Sequence, residues 1–233
     1  MKKRQSFGQH FLKSNTIANH IVSEAKITKN DVVFEIGTGH GILLPYMCKK
    51  ANKIISIEID KNLYNLAKSK FYDEKNLTLE YGDGFKSNHS FTIFISNLPY
   101  SKSRKSIEWL LQKNFSRAVI MVQKEFADKL LSSKNHTAIS ILTNYGFQLK
   151  IIMDVKKSNF YPVPKVDSVV IFLTQKKIVS KTIISTVNRM FSYRRKTLQN
   201  VLKQFGINST SKERLDDLSG DEIIKIAKKI IRN

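Results

Sequence analysis

Val32-Val33-Phe34-Glu35-Ile36-Gly37-Thr38-Gly39-His40-Gly41 is a run of β-branched and aromatic residues that ends in alternating glycines. It reads as a strand leading into a sharp turn, where glycine lets the backbone approach a ligand closely. Outward along the chain, further strands are expected at Lys53–Ile59, Leu77–Glu80, Phe91–Ser96, Ala118–Gln123, Lys150–Val155 and Ser168–Leu173. Helical patterns lie between them, as in Leu63, Leu66, Ala67 and Phe71. Strands that alternate with helices predict an α/β, Rossmann-like domain with a seven-stranded, mostly parallel sheet. The last two strands follow one another across a loop with Pro162 and Pro164, which predicts an antiparallel pair at the edge.

After Gln175 the pattern turns helical, with Leu198, Val201, Leu202 and Phe205 on one stripe and Gly206 as a stop. Ser219 and Glu222 form a capping-box signature before the last helix. Two domains are expected, residues 1–175 and a small helical domain of residues 176–233.

With 40 basic against 19 acidic residues the net charge is +21, and self-repulsion of that size points to a polyanionic partner, nucleic acid first. The single Trp109 lies among core-like residues rather than on a basic amphipathic helix, and no apolar run is long enough to span a bilayer, so no membrane partner is expected. Cys48 is the only cysteine and the five histidines lack ligand spacing, which excludes a disulfide within the chain and argues against a metal site. A reducing, cytoplasmic compartment and a monomer are expected.

The second strand ends in Ile57-Glu58-Ile59-Asp60, about twenty residues after the glycine turn. Glycines there, with an acid that accepts from ribose hydroxyls, form a nucleoside-binding arrangement in which Gly37, Gly39 and Glu58 touch the ligand. That spacing fits either NAD or S-adenosylmethionine. Two features favour the latter: Ile42 stands where the dinucleotide fingerprint wants glycine, and Gly82-Asp83-Gly84 follows the third strand, placing an acid to accept from an adenine amine.

The fourth strand ends in Asn97-Leu98-Pro99-Tyr100. The amine of adenine is a poor nucleophile because its lone pair is delocalised into the ring. The Asn97 side-chain oxygen and the Leu98 carbonyl can accept from its two hydrogens as it pyramidalises. Pro99 fixes the backbone and Tyr100 stacks on the base. A sulfonium methyl donor requires neither a metal nor a strong general base.

Together these segments resemble the KsgA-type ribosomal RNA adenine dimethyltransferases, with the erythromycin-resistance large-subunit enzymes as cousins. The resemblance spans Phe7 to Leu12, Glu35 to Gly39, Ile57 to Asp60, Asn97 to Tyr100, Gln123-Lys124-Glu125, Phe160 to Ser168, and Arg194-Arg195-Lys196-Thr197 with Asn200. It implies that Gln9, His10 and Leu12 close over S-adenosylmethionine, that Gly37, Glu58, Asp83 and Asn97 contact it, and that Phe160 faces Tyr100 across the target base. It further implies N6 methylation of two adjacent adenosines in a hairpin near the 3′ end of small-subunit ribosomal RNA, within ribosome biogenesis, on free RNA or an immature small subunit. Two departures stand out. His10 replaces an asparagine, and Ser101-Lys102-Ser103-Arg104-Lys105 replaces Asn-Ile-Ser-Thr-Pro, which adds three positive charges beside the catalytic strand.

Basic clusters that suit an RNA backbone include Lys3 and Arg4, then Lys102, Arg104 and Lys105, then Arg194, Arg195 and Lys196. The cations of the last helix read as a solvated face. Two other functions remain open on this reading: large-subunit methylation of the resistance type, and a non-catalytic RNA-binding assembly or transcription factor on the same scaffold.

Overall fold

The computed structural model describes residues 9–132 and 136–232. Its strands are β1 (Phe11–Leu12), β2 (Val32–Ile36), β3 (Lys53–Glu58), β4 (Leu77–Tyr81), β5 (Ile93–Ser96), β6 (Arg117–Gln123), β7 (Phe147–Val155), β8 (Phe160–Tyr161) and β9 (Ser168–Gln175). Its helices are α1 (Asn15–Glu24), α2 (Leu44–Lys50), α3 (Lys61–Lys70), α4 (Ser103–Leu110), α5 (Lys124–Leu131), α6 (Ala138–Gly146), α7 (Lys181–Ser192), α8 (Leu198–Lys203) and α9 (Gly220–Arg232). Among the described residues, no helix is long and apolar enough to cross a membrane.

Seven strands form one sheet in the order β4-β3-β2-β5-β6-β9-β7. The first five in that order pair in parallel, and β9 runs antiparallel to β6. The two last-predicted strands are indeed neighbours at the edge, because β9 inserts between β6 and β7. The central strands carry Val, Ile and Phe at successive positions because helices cover both faces of a parallel sheet. Phe34, Ile54, Ile93, Phe94 and Ile95 are fully buried there. Phe34 stacks on Phe91 with ring centroids 5.0 Å apart, a contact worth roughly 0.5–1.5 kcal/mol beyond its burial.

The strand ends opposite the glycine turn are tied by a polar network. Arg117 donates to the Ala25 carbonyl at 2.6 Å and to Asp31 at 3.0 Å, and the Thr92 hydroxyl donates to Asp31 at 2.8 Å. The lowered pKa of Asp31 is the balance of a burial that raises it against hydrogen bonds from Thr28 and Thr92 and the Arg117 charge, which lower it.

A second, two-stranded sheet was not foreseen: β1 pairs antiparallel with β8, Phe11 opposite Tyr161 and Leu12 opposite Phe160. Alternation along β8 turns Phe160 into the core, with no exposed surface, and Tyr161 outward, 69% exposed.

Clustering divides the chain into two compact units. One comprises residues 1–106, 114–127 and 149–175, and holds most of the sheet. The other comprises residues 107–113, 128–148 and 176–233. In the latter, α6, α7 and α9 pack together. Thr137 and Ser140 form a capping box at the start of α6. At α9, Ser219 accepts from the Glu222 N–H and Glu222 accepts from the Ser219 N–H, the reciprocal cap expected there. Gly206, at φ +73°, follows α8 and lets the Ile207 N–H donate to the Leu202 carbonyl, which ends the helix as expected.

Candidate active site

The sheet order reverses at β2: the chain moves outward from it to β3 on one side and β5 on the other. Open α/β sheets place their ligand crevice at the carboxyl ends of such strands. Here that crevice is one cavity, lined by Gln9, His10, Leu12, Gly37, Gly39, Glu58, Asp83 and Asn97 together with Leu98 and Pro99.

Each wall follows from local chemistry. Beyond β2, Gly37 and Gly39 have φ of +83° and +58°, values a side chain would strain. The Gly37 N–H donates to the Ile57 carbonyl, which draws the turn onto β3. Glu58 holds it from the other side, accepting from the Gly39 N–H at 2.8 Å and from the Asp60 N–H at 2.9 Å. Beneath this turn Glu35 is fully buried; burial raises its carboxyl to about 8, against a lowering hydrogen bond from Ser56, with the Glu58 charge adding to the rise. Ser56 donates to Glu35 at 2.6 Å, and the Thr38 hydroxyl lies 2.6 Å from Ser56.

At the end of β4 the Gly82 N–H donates to the Glu58 carbonyl, and Asp83 caps the short turn Gly84–Lys86 by accepting from the Phe85 N–H at 3.0 Å. Its other carboxylate oxygen lies 3.6 Å from Lys105. Ile59, 51% exposed, and Phe85 line the same end of the cavity. Neither was singled out from the sequence, although an apolar residue directly after the Glu58 strand end was a usable signal.

At β5 the Ser96 hydroxyl donates to the Ile36 carbonyl at 2.6 Å, so this strand end is locked to β2. Asn97 follows, half-buried, and among the described residues nothing hydrogen-bonds its side chain. Leu98 is buried against the glycine turn: a Cβ on Gly37 would meet it at 3.4 Å. Tyr100 shares a 2.7 Å hydrogen bond with Ser168; burial raises its pKa, Ser168 lowers it and the Asp167 charge raises it, so the phenol stays neutral.

The ring beside Tyr100 is that of His10, stacked at 5.5 Å with a 29° interplanar angle. The fully buried Phe160 offers no face to a base in this structure, which departs from the pairing across a base expected for it. Its register with Leu12 in the short second sheet is the reason. His10 Nδ1 donates to the Pro162 carbonyl at 2.7 Å, and the Phe11 ring lies 4.3 Å from that of His40 on the glycine turn. The segment Gln9–Leu12 thus roofs the cavity.

The basic residues fare differently. Lys3 and Arg4 lie outside the described residues. Lys102 and Lys105 line the cavity, and Arg104 is exposed on α4. In the second unit Arg194 donates to both Asp216 oxygens at 3.0 and 3.1 Å, whereas Arg195 is exposed and pairs with no acid among the described residues. The Lys196 ammonium lies 5.2 Å from the Tyr193 ring centroid.

The profile of the family "Ribosomal RNA adenine dimethylase" matches residues 1–229. The chain belongs to this family. A dimethylase relative named ribosomal RNA small subunit methyltransferase A, from Thermotoga neapolitana, is 32% identical over 238 residues, covering 97% of this chain and 91% of its own. The protein of the same name from Clostridium acetobutylicum is 34% identical over 231 residues, covering 91% and 84%. Among solved structures, a dimethyladenosine transferase from Plasmodium falciparum superposes with a TM-score of 0.80 at 26% identity, covering 96% of this dimethylase and 98% of that chain. The 23S rRNA methyltransferase ErmE superposes with a TM-score of 0.71 at 20% identity, covering 95% and 99%, which speaks to the fold.

Dimethylases of this family use S-adenosylmethionine, and the cavity fits it: positive-φ glycines cradle one wall, Gly82 has open space within 4 Å of where a Cβ would stand, and the Asn97 amide is unclaimed among the described residues. When bound, the cofactor supplies a methyl group already activated on a sulfonium.

Proposed function

We propose that this dimethylase methylates the N6 amine of adenine in small-subunit ribosomal RNA, two methyls on each of two adjacent adenosines in a hairpin near the 3′ end. The observation that carries the reading is the Asn97 amide, which has no hydrogen-bond partner among the described residues and follows the pinned end of β5 where the cofactor cavity adjoins Tyr100. Asn97 Oδ1 and the Leu98 carbonyl accept from the amine hydrogens and favour the pyramidal amine of the transition state. Pro99 holds that backbone, Tyr100 stacks on the base and the proton leaves to water. Glu58 has a lone pair left on each oxygen for a ribose hydroxyl after its two backbone bonds, and Asp83 accepts from the cofactor's adenine amine.

The substrate class is supported by the names of the relatives and by the charge of +21. We assign RNA contact to Lys102, Arg104, Arg195 and Lys196, with residues 176–233 as the helical RNA-contacting domain, and place the enzyme in the cytoplasm as a monomer acting on the immature small subunit. An extruded loop base is the cheapest target, since it is already unpaired.

The test is incubation with labelled S-adenosylmethionine and separated ribosomal subunits. Label in small-subunit RNA is expected. Label only in large-subunit RNA would make this an enzyme of the resistance type, and label in neither would favour a non-catalytic assembly role.

A further inference from the structure

Three cations, Lys102, Arg104 and Lys105, follow the catalytic strand and read together as one RNA-facing cluster. The structure separates them. Lys105 sits in the first turn of α4, after β5, yet its ammonium reaches Asp83 after β4, with β2 and β3 lying between the two strands. It lies 3.6 Å from Asp83 Oδ2 and 4.3 Å from the centroid of the Phe85 ring, and it lines the cofactor cavity.

We propose that Lys105 is a cofactor-positioning residue, holding Asp83 in its binding rotamer and covering Phe85, rather than a contact to RNA. The inference rests on the assignment of Asp83 to the cofactor's adenine. The Phe85 N–H fixes only one oxygen of that carboxylate. A tether on the second oxygen fixes the plane of the group, so less rotamer freedom remains to be lost when the cofactor binds. The ammonium over Phe85 adds a cation–π contact, and moving it to a phosphate would forfeit both interactions. Lys102, by contrast, pairs with no carboxylate among the described residues and remains available to RNA.

Because the Lys105 side chain is 52% exposed, the expected effect is modest, in the range of exposed ion pairs. Calorimetry with S-adenosylhomocysteine reads it without catalysis. Lys105→Met should bind about two- to fivefold more weakly than wild type, while Lys105→Arg stays within about twofold. In an Asp83→Asn background Lys105→Met should cost less than in wild type, since the carboxylate it orients is gone and only the contact over Phe85 remains to be lost. The salt slope for small-subunit RNA should be unchanged in Lys105→Met. Unchanged S-adenosylhomocysteine affinity with a slope reduced by about 0.7–0.9 would make Lys105 an RNA contact and overturn the proposal. An equal loss in both backgrounds would overturn it as well. If Asp83→Asn alone left affinity intact, the adenine assignment itself would fall, and the proposal with it.

Discussion

Asn97 is a half-buried amide that the protein leaves without a hydrogen-bond partner among the described residues, at a strand end pinned by Ser96. Its acceptor matters most when the substrate amine pyramidalises. Asn97→Ala should therefore lower the single-turnover methylation rate about a hundred- to a thousandfold while leaving RNA affinity nearly unchanged. A variant within threefold of wild type would remove Asn97 from the reaction. Glu35 gives a different signature. Its carboxyl is raised from 4.5 to about 8, so the folded protein keeps a proton that the unfolded chain releases. The stability tied to that proton is full below pH 4.5 and falls as pH rises through 8. Glu35→Gln keeps the neutral form, so its melting temperature relative to wild type should improve by roughly 5 °C or more between pH 6 and 9. A difference independent of pH would contradict this account of the buried carboxyl.

At the level of elements, the turn after β2 depends on glycine most strictly at Gly41. Its φ is +71°, and a Cβ there would lie 2.4 Å from the Phe71 ring and 3.4 Å from Leu44. Gly41→Ala should cost roughly 2–4 kcal/mol, from the left-handed backbone and the crowded core together, read as a lower urea midpoint. A loss under about 0.5 kcal/mol would show that the turn relaxes freely. The cofactor side of the site was legible because its residues follow strand ends, where β-branched runs stop at Gly37, Glu58, Asp83 and Asn97. The short second sheet was not. Two residues leave no period to read, and the pairing of Phe11 with Tyr161 joins distant parts of the chain. The inward turn of Phe160, and the roof that His10 makes through Pro162, were hidden with it. The contact of Lys105 with Asp83 was hidden for a related reason: adjacent charges look alike in sequence, and only the sheet order brings one of them back to Asp83.

For the whole molecule, a charge of +21 demands that RNA binding be strongly salt-dependent. The fold distributes that charge unequally, since Asp216 engages Arg194 while the exposed Arg195 pairs with no acid among the described residues. Arg195→Ala should reduce the slope of log affinity against log salt by about 0.7–0.9, one phosphate's worth, with S-adenosylhomocysteine affinity unaltered. An unchanged slope would place the RNA elsewhere. Small-subunit RNA from cells lacking this activity, treated with the protein and S-adenosylmethionine, can be digested to nucleosides and resolved by mass spectrometry. N6,N6-dimethyladenosine is expected, formed about a hundred- to a thousandfold more slowly when Asn97→Ala replaces the wild type; methyl groups on any other base, or adenosine left unmodified by the wild-type protein, would contradict this function.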